Sequence, residues 1–262
     1  MTKAKRDNLN KKTMRGSVKE YLWSDELTPS EISAIKNVPD IKDKPILDVG
    51  VGAGRTTRGL LRISKDYLGI DYVAEMTDKC KGKFLGVHFE QADARELSRY
   101  DDESFHTIFF SLNGLCMVDH VDRMLILKEF SRLLKPNGVF MFSAYNQNFI
   151  KHTKSFKVPM FEKTLNPLKL LVRSMRFLKN LGISIVNKIR YKSLEVKTDE
   201  YEIVNDSCHN YATMLYYTTP GNMKKQLNEC GLSGELHCYG LNGEKIIDYN
   251  VEDDSIFYVV RK

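Results

Sequence analysis

The chain has 262 residues, 42% of them hydrophobic, and a net charge of +6. That length and composition suit one sizeable core, or a core with a small appendage, and exclude a disordered chain. No run of about 18 apolar residues occurs, and the opening MTKAKRDNLNKKTMRG is basic and polar, so neither a spanning helix nor a secretory signal is expected and the expected compartment is the cytoplasm. The five cysteines, Cys80, Cys116, Cys208, Cys230 and Cys238, include no C-x-x-C pair, so no disulfide framework and no metal site is expected. Between Asn148 and Glu200 the chain carries a local +8, twelve Lys/Arg against four Asp/Glu, which confines the basic character to one segment. No basic face interleaved with aromatic or recognition motifs accompanies it, which disfavours nucleic acid as a partner.

From Pro45 onward, β-rich apolar runs alternate with helical patterns, the signature of a doubly wound α/β domain. PILDV predicts a strand, AGRTTRGLLRI a helix, DYLGID a strand, AEMTDKCKG a helix and GVHFEQAD a strand. SFHTIFFSL is a near-continuous apolar run suited to a sheet centre, and VDRMLILKEFSRLLK has helical apolar spacing at Met124, Leu127, Phe130, Leu133 and Leu134. KPNG stops that helix before the strand VFMFSAY. The alternation then breaks. Within this insertion NPLKLLVRSMRFLKNLG predicts a helix, with Asn166 as cap, Pro167 in the first turn and Gly182 beyond the end. KTDEYEIVN and YATMLYYTT predict strands, PGNMKKQLNECG a helix, and SGELHCYG and SIFYVVRK strands. The expected organisation is an N-terminal arm with cap helices over 1–40, a Rossmann-like core over 41–147, a basic insertion over 148–210 and a C-terminal completion of the sheet over 211–262.

The strand-to-helix turn ILDVGVGAGRTT holds three glycines at alternate positions. A dinucleotide fingerprint starting at Gly50 would need glycine where Arg55 stands, and a phosphate loop would need G-K-[ST]; neither is present. What remains is G-x-G-x-G preceded by Asp48. Asp71 ends the second strand, where a carboxylate can accept from both ribose hydroxyls, and Asp93 ends the third, where one can accept from an adenine amino group. Either acid alone reads as a solvated helix cap; both, behind a glycine loop, point to a nucleoside.

ILDVGVGAGRTT, YLGIDYVAEM, VHFEQADARELS, DDESFHTIFFSLNGL and EFSRLLKPNGVFMFSAYN, in that order, resemble the motifs of class I S-adenosylmethionine-dependent methyltransferases, and YYTTPGNMKKQLNECGLSGEL is similar to the late strand-helix-strand of small-molecule members. The resemblance implies a seven-stranded, mostly parallel sheet with an antiparallel last strand. It implies that Asp48, Gly50, Gly52 and Gly54 wrap the methionine end of S-adenosyl-L-methionine, that Asp71 holds the ribose and Asp93 the adenine amino group, that Tyr72 and Ala94 flank the adenine, and that Ser111 touches the cofactor near its sulfonium. The chain departs from the pattern at His106, where members often carry Asp, and at Tyr145, where relatives often carry His.

Methyl transfer from a sulfonium is an in-line displacement that positioning alone can promote, and proton removal from the nucleophile assists it. His120 and Tyr145 are the candidate bases, the first oriented by Asp119 or Asp122; Asn113, Asn146, His209 and Tyr217 are the candidate acceptor residues. The expected activity is methylation, at oxygen rather than nitrogen, of a small molecule such as a sugar, a nucleotide-linked sugar or an anionic metabolite. In the insertion, Lys169, Arg173, Arg176 and Lys179 recur opposite Leu168, Leu171, Val172, Met175 and Leu178. This basic amphipathic helix reads as a lid closing its apolar side over the site, or else as a helix lying on an anionic membrane near a lipid-linked glycan. Thr28-Pro29 starts a helix, ahead of which Tyr21 and Trp23 could form an aromatic flap. The rival functions are a scaffold that binds the cofactor without turnover and a nicotinamide oxidoreductase.

Overall fold

The computed structural model describes residues 2–17, 25–150, 156–161, 163–249 and 251–262. Tyr21 and Trp23, read above as a possible flap, lie outside them.

In chain order the helices are α1 (Thr2–Gly16), α2 (Pro29–Lys36), α3 (Thr57–Leu60), α4 (Ala74–Lys83), α5 (His120–Leu133), α6 (Gln147–Ile150), α7 (Pro167–Tyr191) and α8 (Pro220–Glu229). The strands are β1 (Ile46–Val49), β2 (Tyr67–Asp71), β3 (His88–Gln91), β4 (Phe105–Phe110), β5 (Leu134–Asn146), β6 (Val196–Lys197), β7 (Tyr201–Asp206), β8 (Thr213–Thr218), β9 (His237–Tyr239), β10 (Lys245–Ile246) and β11 (Ser255–Arg261). The central order is β10-β9-β11-β5-β4-β1-β2-β3, and β8, β7 and β6 branch from the end of β5. β3, β2, β1, β4 and β5 run parallel, and β11 enters antiparallel between β5 and β9. This is the expected doubly wound α/β sheet, widened among the described residues to eleven strands by the branch and by the short β10.

Alternation along the strands explains the layering, because successive side chains leave opposite faces of a sheet. Phe140, Phe142 and Ala144 of β5 join Ile126, Leu127, Phe130 and Leu133 of α5 in one core, while Val139 and Met141 join Ala34 of α2 and Cys80 of α4 in the other. Both faces are therefore covered, as a parallel sheet with crossover helices requires.

The N-terminal arm and the insertion depart from expectation. The basic arm is a 15-residue helix, α1, in which Asn10 is the buried residue and Leu9 is only partly so. Polar bonds hold it instead: the Asn10 amide donates to the carbonyls of Met117 (2.7 Å) and Met214 (2.8 Å) and accepts the Met214 amide at 2.9 Å. Ion pairs join Lys3 to Asp122 and Arg6 to Asp119. α2 begins with a capping box in which Thr28 accepts the Glu31 amide and Glu31 accepts the Thr28 amide. α7 continues through Gly182 to Tyr191, because glycine only weakens a helix and the heptad-scale pattern resumes beyond it.

Candidate functional site

β1 ends in a turn where Gly50, Gly52 and Gly54 all adopt positive φ, a conformation that costs a side chain dearly. At Gly50 a Cβ would also sit 2.8 Å from the Phe110 ring. Asp71, at the end of β2, fixes this turn: one oxygen accepts the Gly52 amide at 3.0 Å and the other the Val73 amide at 2.9 Å. Asp48 is buried and accepts the hydroxyls of Thr56 (2.6 Å) and Tyr67 (2.7 Å). Burial raises both acids, Asp48 to about 7 and Asp71 to about 6, against the hydrogen bonds that favour their charged forms.

These groups open onto a cavity of about 210 Å³. Its wall takes Asp48 from β1, Gly50 and Gly52 from the turn, Asp71 and Tyr72 from β2 and its exit, Asp93 and Ala94 beyond β3, and Ser111 and Asn113 beyond β4. Tyr145 and His209 line it too. Gly54 does not; its missing Cβ makes room for Phe84, whose ring would lie 2.5 Å away, so its role is helix packing.

Besides Gly54, three candidates are not brought to the cavity. His120 stacks on Tyr201, ring centroids 4.5 Å apart, and its Nδ1 bonds the Tyr216 hydroxyl at 2.8 Å. Burial, then Arg123, lowers its pKa, so it is a neutral ring inside a tyrosine stack. Asn146 is fully buried and spends its amide on the Val251 carbonyl (2.7 Å) and the Asn148 amide (3.0 Å), which pins the segment ahead of β11. Tyr217 donates to Asp206 at 2.9 Å and stacks behind Tyr145 at 5.0 Å. His106 sits at the start of β4, 3.8 Å from Asp40 and at the opposite end of the strand from Ser111.

Sequence reasoning missed the roof. Asp7, Asn10, Lys11 and Met14 of α1 line the cavity. Arg95 clamps Asp93 with Nε at 2.8 Å and Nη2 at 2.5 Å, and reaches Asp7 and Asp122 at 3.2 and 3.0 Å, so one guanidinium ties the end of β3 to the roof. Burial alone would raise the Asp93 carboxyl, but the Arg95 bonds outweigh it and hold the group below the usual range. A second clamp joins Arg55 to the wholly buried Glu31, with Nη1 at 2.9 Å and Nη2 at 2.5 Å, and both residues bond Ser111. The only signal for this clamp was Glu31 as the closing residue of the T-x-x-E cap. α1 gave none, since a helix without an apolar stripe is indistinguishable from a solvated arm.

α7 is not the lid expected of it. None of its residues lines the cavity, and its apolar side faces solvent.

Residues 46–138 match the family model of a methyltransferase domain. Among curated relatives, the ubiquinone biosynthesis O-methyltransferase of Histophilus somni is 28% identical over 132 residues, 47% of this chain and 55% of that protein. The one from Actinobacillus pleuropneumoniae is 24% identical over 189 residues, 66% of this chain and 79% of that protein. The chain thus spans about half the length of the Histophilus somni protein and of similar relatives. Two solved structures share the fold: an S-adenosylmethionine-dependent methyltransferase from Mesorhizobium loti (TM-score 0.58, 16% identity, 89% of this chain and 98% of that one), and the Burkholderia thailandensis 1,6-didemethyltoxoflavin-N1-methyltransferase with bound 1,6-didemethyltoxoflavin and S-adenosylhomocysteine (TM-score 0.58, 13% identity, 96% and 88%).

Proposed function

We propose that this chain belongs to the class I S-adenosylmethionine-dependent methyltransferase superfamily and transfers a methyl group to a hydroxyl of a small molecule. One observation carries the reading: the glycine turn, Asp71, Asp93 and Ser111 converge on a single roofed cavity. The residues fit the cofactor. Asp71 uses each oxygen once on main-chain amides, which leaves a lone pair on each for ribose hydroxyls. Tyr72 and Ala94 offer flat and small surfaces for a purine, and the Gly50–Gly52 turn leaves main-chain groups open to an amino acid moiety. When bound, the cofactor supplies the sulfonium-activated methyl group.

The acceptor is proposed to lie against Asn113, Met117, Tyr145, His209 and Leu215, the part of the wall formed by the segment after β4, the end of β5, and β8 with the turn ahead of it. This stretch holds no lysine or arginine, which favours an uncharged, partly apolar hydroxyl compound over the anionic metabolite or nucleotide-linked sugar expected above. The O-methyltransferase relatives support oxygen as the methylated atom. With His120 locked in its stack, His209 is the proposed base and Tyr145 the orienting group. Burial pushes the Tyr145 hydroxyl well above its ordinary range, so it stays protonated and donates.

Calorimetry with S-adenosylhomocysteine and with NADH tests the cofactor. Micromolar binding of the first and none of the second is expected; the reverse makes the chain an oxidoreductase. Transfer of radiolabelled methyl to organic-extractable metabolites is expected, and binding without any labelled product would make it a scaffold.

A further inference from the structure

α7 is turned inside out. Its protein-facing side is polar: Ser184 is buried against Asn210 (3.4 Å), Asn187 donates to the Asn210 carbonyl (2.9 Å), and Lys188 donates to the Asn205 carbonyl (2.9 Å) and pairs with Glu195 (3.0 Å). Its outward side is apolar. Leu168, Leu171, Met175, Leu178, Val186 and Ile189 occupy one arc of the helix and are between 52% and 75% exposed. At 1.5 Å per residue the helix extends about 37 Å, so this is a long continuous strip, unlike the scattered exposed side chains of ordinary surfaces.

Charge identifies what covers it. Residues 163 to 192 contain eight Lys/Arg and no Asp/Glu, and Lys169, Arg176, Lys179 and Arg190 border the apolar arc on one side. A second copy of this chain docking there would set cations against cations. An anionic bilayer meets both halves of the surface at once, taking the apolar arc at the acyl boundary and the cations at its headgroups. Among the described residues no helix is long and apolar enough to cross a membrane, so the helix would lie in the interface plane.

We infer that α7 docks this protein on anionic phospholipid membranes, lying flat with its leucine, methionine and valine side chains inserted. The inference deepens the proposed function by placing its hydroxyl acceptor within reach of the lipid. Asn210, which α7 holds, neighbours His209 in a turn where residues 209–211 all adopt positive φ, so the helix bears directly on the cavity wall.

The test is co-sedimentation of the full chain with phosphatidylcholine vesicles, with and without phosphatidylglycerol, at low and high salt. Binding to the anionic vesicles at low salt is expected, with weak binding to neutral ones. The triple variant Leu171→Glu, Met175→Glu, Val186→Glu should bind at least about tenfold more weakly while keeping wild-type affinity for S-adenosylhomocysteine, since none of the three lines the cavity. Failure of the wild type to sediment with anionic vesicles overturns the inference, as does a triple variant that sediments like the wild type. Light scattering is expected to report a monomer; a dimer abolished by the triple variant would assign the strip to self-association instead. The vesicle result does not depend on methyl transfer, so either proposal can fail alone.

Discussion

Asp71 accepts the main-chain amide of Gly52 at 3.0 Å, so the acid expected to hold a ribose also holds the turn expected to hold the methionine end. Asp71→Ala therefore removes two contributions together. The dissociation constant for S-adenosylhomocysteine should rise about ten- to a hundredfold, the usual effect of losing a charge-assisted partner worth about 1–3 kcal/mol. Calorimetry measures it, and an unchanged constant would remove Asp71 from the cofactor site.

Asn10 is the peg of the roof. Its side chain makes three bonds to main-chain atoms of Met117 and Met214, and Asn10→Ala would leave those groups buried and unpaired. A loss of about 1–3 kcal/mol in stability is expected, read by urea denaturation, with faster release of S-adenosylhomocysteine in stopped-flow. Release at the wild-type rate would mean that α1 does not gate the cavity.

His120 and His209 should behave oppositely. His120→Phe preserves a ring in the Tyr201 stack and is expected to keep turnover within about twofold, while His209→Ala should lower it by about a hundredfold or more, the typical contribution of a positioned base. Steady-state rates with a labelled acceptor decide; equal losses in both variants would return the base assignment to His120.

Asp48 gives a pH signature. Its folded pKa, about 7, lies above the ordinary 3.8, so its contribution to stability is present in full below pH 4 and is lost as the pH rises to 7. Asp71 adds a smaller term over the same window, ending near pH 6. Asp48→Asn keeps an acceptor for Thr56 and Tyr67 without the charge. From pH 4 to pH 7 the wild type should therefore lose stability relative to this variant, by an amount on the order of a few kcal/mol. Parallel urea midpoints across that range would count against a buried, ionising Asp48.

The sheet and the glycine-turn side of the cavity were legible because local rules determine them. Strand ends follow from apolar runs, and a G-x-G-x-G turn needs its φ values whatever surrounds it. Asn113 and Tyr145 were placed on the cavity wall for the same reason, the first just after β4 and the second near the end of β5. Side-chain direction was not. His120 opens a helix beside the site, yet the Tyr201 and Tyr216 rings draw it away, and those rings arrive from strands more than 80 residues distant. Asn146 and Tyr217 stand at the ends of paired strands but turn into the structure behind the cavity wall. For α7 the amphipathic pattern was plain in the sequence, but periodicity cannot tell which side faces the protein. Ser184, Asn187 and Lys188 reverse the usual answer by finding polar partners on the body of the fold.

α1 covers its cavity with charges and amides instead of hydrocarbon, and that choice has a kinetic meaning. Lys3, Arg6, Lys11 and Arg95 hold it through ion pairs that dissolved salt screens. A hatch fastened in this way opens more often as ionic strength rises, so the spent nucleoside should leave faster in concentrated chloride even where the fold itself is untouched.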